Sequence, residues 1–109
     1  MKCVYVAGKL NADAVGYIKN VHNMIRVSNE IRRLGYSVFV PCLDILCGLL
    51  AGDFTYQDYA LNNMKWLEKS DIVYVLPESE NSKGTQAEIA RAQELDIPIL
   101  YSLDMLLVF

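Results

Sequence analysis

The chain is poor in metal-binding side chains: it has one histidine and three cysteines, Cys3, Cys42 and Cys47, and no C-x-x-C pair. A structural zinc site needs about four such ligands at close spacing, so no metal is expected. An odd number of cysteines points to reduced thiols, and Cys42 and Cys47 read as buried apolar fillers. No leader is legible either: Met1 to Val6 turns apolar at once but meets Gly8, Lys9 and Asn11 directly afterwards. The expected compartment is the cytoplasm. Long hydrophobic runs are missing. The richest, Leu43 to Ala51, is broken by Asp44 and Gly48 and falls well short of the roughly 18–20 residues of a membrane span, so no membrane partner is expected. Basic excess is missing too. Ten Lys and Arg stand against 13 Asp and Glu, a net charge of -3, which excludes the electrostatic footprint of a nucleic-acid binder. A glycine-rich phosphate loop is also absent, because Gly8 belongs to no G-x-G-x-x-G and no Gly-Lys-Ser/Thr triplet occurs.

What is present is a core. Hydrophobic residues make up 53% of 109 residues, which suits a single domain over 1–109. Val4-Tyr5-Val6 reads as a buried strand ended by Gly8. A helix is expected from about Ala14 to Leu34, with Val21, Met24, Ile25, Ile31 and Leu34 at helical spacing and Gly35 as its stop. Tyr36 to Val40 is a second strand, ended by Pro41. The apolar stretch Cys42 to Asp53 has room for a short helix. Thr55 caps the next helix, to about Lys69. Asp71 to Leu76 is a third strand, Gly84 to Leu95 a helix, Ile99 to Tyr101 a fourth strand, and Ser102 caps a last short helix through Leu107. Strands that alternate with helices imply parallel crossovers. The expected fold is α/β: a doubly wound, Rossmann-like or flavodoxin-like parallel sheet with helices on both faces. Ligands of such sheets sit beyond the carboxyl ends of the strands, here after Val6, Val40 and Leu76.

The segment Ser82-Lys83-Gly84-Thr85-Gln86-Ala87-Glu88 follows the third strand and opens a helix. Unpaired N–H groups at a helix start, the hydroxyls of Ser82 and Thr85, and the bare backbone of Gly84 suit a phosphate or a ribose hydroxyl. Glu88 lies in the first turns, where the helix dipole is expected to keep a carboxylate ionised by lowering its pKa. Beside a bound sugar, such a carboxylate can attack the anomeric carbon or shield an oxocarbenium-like charge. It can equally be a carboxylate that complements the dipole. Asp44, just after the second strand, reads as a ribose contact or a turn cap. Tyr56 and Tyr59 flank a base or form a subunit contact. Trp66 reads as core, and His22 as a helix-face residue.

Three segments carry a resemblance. Val4-Tyr5-Val6-Ala7-Gly8, Trp66-Leu67-Glu68-Lys69-Ser70-Asp71-Ile72-Val73 and Ser82-x-Gly84-x-x-x-Glu88-x-x-x-Ala92, with Ile97-Pro98-Ile99 following, are similar to the nucleoside 2-deoxyribosyltransferase-like superfamily. That group includes the 2'-deoxynucleoside 5'-phosphate N-hydrolases. The resemblance spans nearly the whole chain, less closely in the middle loop. It implies Glu88 as the catalytic carboxylate, Tyr5 as the tyrosine that orients it, and Ser82 as the serine that meets a 5'-phosphate. The transferases tend to carry an aspartate at the Ser82 position, and a carboxylate would repel phosphate where a serine does not. Gly8, Gly84 and Thr85 complete the implied ligand-binding set, with Lys9 and Lys83 as the nearby cations in place of an arginine.

One position departs from the pattern. Eight residues before Asp71 the group usually carries an aspartate that holds the sugar and supplies a proton near the leaving base, and here it is Asn63. An amide hydrogen-bonds but is neither a general acid nor a general base. Asp58 substitutes only on a rotated helix. The expected function is therefore an N-glycosidase or deoxyribosyltransferase acting on a nucleotide or nucleoside, with no cofactor. The alternative is a non-catalytic protein that senses or sequesters a nucleotide-derived molecule. Leu46, Leu49, Leu50 and the tail Met105 to Phe109 exceed what one small sheet covers, so a homodimer or larger homo-oligomer is expected.

Overall fold

A computed structural model describes residues 1–109. Four strands form one sheet: β1 (Cys3–Ala7), β2 (Ser37–Phe39), β3 (Ile72–Val75) and β4 (Ile99–Leu100). All pairings are parallel, and the order β2-β1-β3-β4 puts the first strand inside the sheet. The order reverses direction between β1 and β3. A crevice therefore opens at the carboxyl ends of those two strands, because their connections leave to opposite sides.

Val4 to Ala7 and Ile72 to Val75 are buried without a break, as strands covered on both faces must be. Val4, Val6, Ile72 and Tyr74 point into one layer with α1 (Ala14–Arg33) and α5 (Leu103–Leu107), where they meet Met24, Ile31 and Leu106. Tyr5, Ala7, Val73 and Val75 point into the other, against Leu67 of α3 (Tyr56–Glu68) and Ala92 of α4 (Lys83–Glu94). The remaining helix, α2 (Asp44–Leu50), follows a 3-10 turn at Pro41–Leu43 and buries none of its residues. The doubly wound α/β arrangement read from the sequence is the one observed.

Helix boundaries follow local chemistry. The Asp13 side chain accepts from the Gly16 N–H at 2.7 Å and starts α1, while Gly35, at φ +98°, leads the chain out past the Leu34 cap. Thr55 and Asp58 form a reciprocal capping box at the start of α3. Ser82 and Ser102 cap α4 and α5. The Asp71 carboxylate accepts from the Cys3 N–H at 2.7 Å and ties the start of β3 to β1.

Three side chains differ from their sequence reading. Cys47 is exposed, because α2 lies outside both core layers; Cys42 is buried as expected. Trp66 is 51% exposed and caps a stack of rings instead of entering the core. Leu34 is 40% exposed, as the cap at the end of α1 where the chain turns out through Gly35.

Candidate active site

At the crevice lies a cavity of about 470 Å³, within the usual range for a small-molecule site of ~300–1,000 Å³. Its floor comes from the end of β1 at Val6 and Gly8 with Tyr17 and Met24 of α1, one wall from α4, and the opposite wall from α2 and α3. Gly8 lets the floor close. A Cβ there would stand 2.5 Å from Leu76 Cδ1 and 2.9 Å from Leu76 Cβ, so any larger residue pushes β1 off the end of β3.

Glu88 projects from α4, one turn beyond its buried first-turn residue Thr85. The Tyr5 hydroxyl donates to Glu88 Oε2. Tyr5 is fully buried, and its ring is held by a stack that runs through three elements. Its centroid lies 5.5 Å from Phe39, its register partner on β2, and Phe39 lies 5.8 Å from Trp66 of α3. Aromatic pairs at these separations fix ring orientation as well as bury area. Burial, together with the nearby Glu88 charge, pushes the Tyr5 hydroxyl far above its ordinary range, so it stays protonated and can only donate.

The helix dipole does not hold Glu88 ionised, as the sequence position suggested. Burial pushes its carboxyl up to about 7, and the Tyr5 hydrogen bond offsets only part of that rise. Loss of water outweighs the dipole, because Glu88 sits past the first turn, where the dipole field has already fallen off. At neutral pH Glu88 therefore populates both protonation states.

Ser82 is both cap and wall. Its Oγ accepts from the Thr85 N–H at 3.3 Å and from Thr85 Oγ1 at 2.9 Å, which leaves its own hydrogen to donate. Gly84 opens toward the cavity beneath Tyr56, whose hydroxyl would lie 3.3 Å from a Cβ built there. On the far wall Asn63 Nδ2 donates to Asp44 Oδ2 at 2.8 Å, joining α3 to the start of α2. Asp58 is taken up by the capping box and does not reach the cavity.

Seven of the predicted site residues line this cavity: Glu88, Asn63, Gly8, Asp44, Ser82, Gly84 and Thr85. Tyr5 lies beneath it and reaches it through Glu88. Lys9 stands apart. Its N–H donates to Ser79 Oγ at 3.1 Å, its ammonium lies 3.6 Å from the Glu78 carboxylate, and it lines an adjoining polar recess with Asn11, Asn81 and Lys83. Ser82, Gly84 and Tyr56 border both spaces, so the two are continuous. Glu78 itself holds a left-handed φ of +63°. Sequence reasoning passed over Tyr17, which lines the cavity from the first turn of α1. Its spacing from Val21 and Met24, on the inward face of that helix, was the available signal. Tyr59 also lines the cavity, and its hydroxyl is buried without a hydrogen-bond partner.

This architecture is a nucleoside 2-deoxyribosyltransferase-like fold. The structure superposes on a 2-deoxyribosyltransferase from the psychrotolerant bacterium Bacillus psychrosaccharolyticus with a TM-score of 0.69, over 89% of this chain and 69% of that one, at 19% identity. A family model described as a domain of unknown function, DUF4406, matches residues 2–101, and the chain belongs to that family. No curated protein matches it. No helix is long and apolar enough to cross a membrane.

Proposed function

We propose that the cavity binds a nucleoside or nucleoside monophosphate and that Glu88 cleaves the bond between base and sugar. The observation that carries this reading is the Tyr5–Glu88 hydrogen bond at the cavity floor: a half-buried carboxylate held by a phenol that only donates. The Glu88 carboxylate attacks the anomeric carbon, a sugar–Glu88 ester forms, and the base departs with the electron pair of the broken carbon–nitrogen bond. Water then hydrolyses the ester, or a second base takes the sugar. Ser82, with a hydrogen to donate, and Lys83 in the adjoining recess support a 5'-phosphorylated ligand, since a phosphate needs donors and a cation, whereas Lys9 in that recess is already paired with Glu78. The similarity to a 2-deoxyribosyltransferase supports the same substrate class. Leu46, Leu49 and Leu50, all exposed on α2, support assembly of two or more copies.

The test is chromatographic detection of free base from ribo- and deoxyribonucleosides and their monophosphates. Base release is expected to rise with pH through about 7, as Glu88 loses its proton. It is expected to fall by roughly 10⁴-fold in Glu88→Ala, as for loss of other covalent nucleophiles. Undiminished release in that variant overturns the reading. Asn63, which carries no transferable proton, favours a second reading: a protein that holds a nucleotide-derived ligand without cleaving it. Thermal stabilisation by a panel member that is recovered intact is its expected result.

A further inference from the structure

The departure of base leaves an electron pair on nitrogen, and that nitrogen needs a proton. Glu88 is committed to the anomeric carbon, and Asn63 has no proton to give. Among the residues that line the cavity, Glu88 and Asp44 are the only carboxyl groups. Asp44 is the first residue of α2 and half-buried, and one of its oxygens is fixed by Asn63 Nδ2 at 2.8 Å. An amide that donates to a carboxylate fixes its direction without neutralising it. An aspartate at position 63 would instead set two carboxylates against each other. The asparagine and the aspartate thus complement each other, with the carboxyl carried by α2 and the amide by α3.

The other titratable groups around Asp44 are Tyr5 of β1, Tyr17 of α1, Cys42 of the 3-10 turn and Tyr59 of α3. Burial is the largest cause that raises each above its ordinary value, Cys42 to about 11, so each holds its proton too tightly to protonate a leaving base near pH 7.

We propose that Asp44, positioned by Asn63, is the general acid–base of this site. The inference rests on the base–sugar cleavage proposed above. As Glu88 bonds to the anomeric carbon and the carbon–nitrogen bond breaks, the Asp44 carboxylic acid passes its proton to a base nitrogen, and the base leaves neutral. The Asp44 carboxylate then takes a proton from the water that attacks the sugar–Glu88 ester. The sugar is released, and both carboxyl groups return to their starting states. Asn63 is a positioning residue and touches no reacting atom.

The experiment compares two leaving groups. Full-length protein is assayed on the nucleosides and monophosphates above, and on 4-nitrophenyl 2-deoxyriboside and its 5'-phosphate, whose phenolate leaves without a proton. In a single turnover with the protein in excess, Asp44→Asn is expected to slow base release at least about 100-fold and nitrophenol release less than about tenfold. The double variant Asp44→Asn, Asn63→Asp keeps one amide and one carboxyl in contact with their places exchanged. It is expected to recover at least about tenfold of the lost base release, and it guards against a single variant that misfolds. Equal loss on both leaving groups, or loss on neither, overturns the inference and leaves Glu88 in place. A wild-type protein that cleaves only the nitrophenyl substrate does the same. A wild-type protein that cleaves nothing overturns the base–sugar reading and this inference with it.

Discussion

The two sides of the cavity are built differently. The Glu88 side rests on the core: α4 packs Thr85 and Ala92 into it, β1 beneath is wholly buried from Val4 on, and the Tyr5 ring stacks on Phe39 of the neighbouring strand. The Asp44 side stands at the margin. The helix α2 has seven residues, buries none, has no side-chain cap, and reaches α3 through the Asp44–Asn63 hydrogen bond. Glu88 is thus placed by the elements that hold the fold together, and Asp44 by one hydrogen bond between α2 and α3. Precise placement costs little where packing already fixes the backbone. On the open wall it has to be supplied by specific polar contacts.

Substitutions on the two sides should separate these roles. The largest effect on stability is expected at Leu67, fully buried on α3 beneath the Tyr5 layer. Leu67→Ala is expected to cost about 2–5 kcal/mol in urea unfolding, and a loss below about 1 kcal/mol would show that the floor is looser than its burial implies. The next effect is electrostatic. A carboxyl raised to about 7 in the folded protein and lower in the unfolded chain binds its proton more tightly when folded. Its contribution to stability is complete below the unfolded value, near 4.5, and is lost as pH rises through 7. Glu88→Gln removes this titration and keeps a group that accepts from Tyr5. Its stability relative to the wild type is therefore expected to rise by up to about 3 kcal/mol between pH 4.5 and pH 8. A flat difference across that range would place Glu88 in water. The smallest effect is expected at Leu50, 86% exposed on α2. Leu50→Ala should change stability by about 0.5 kcal/mol or less. A larger loss that depends on protein concentration would show a partner copy covering this wall and would narrow the contrast between the two sides.

Much of the fold was legible in order. The strands announced themselves as β-branched runs, Val4 to Val6 and Ile72 to Val75, because a strand buried on both faces has no polar positions to alternate with. The helix starts at Thr55, Ser82 and Ser102 were legible because capping is a local bargain between a side chain and N–H groups two or three residues on. The side chains at the surface were not. Trp66 and Cys47 are apolar by type, and composition cannot tell an inward helical face from an outward one: Trp66 lies on the outer side of α3, next to buried Leu67, and Cys47 lies on α2, which buries no residue.

The same division runs through the site. Sequence by itself determined the parallel α/β sheet, the carboxyl ends of its strands as the place for a ligand, and the presence of Glu88, Ser82 and Gly8 near those ends, because the succession of strands and helices and the helix caps are set by neighbours along the chain. Tertiary structure alone decided the protonation of Glu88, which depends on how much water the packed layers exclude. It alone decided that Asn63 faces Asp44, 19 residues away on another helix. Burial and cross-chain contact are properties of the packed molecule, and no local pattern of residues encodes them.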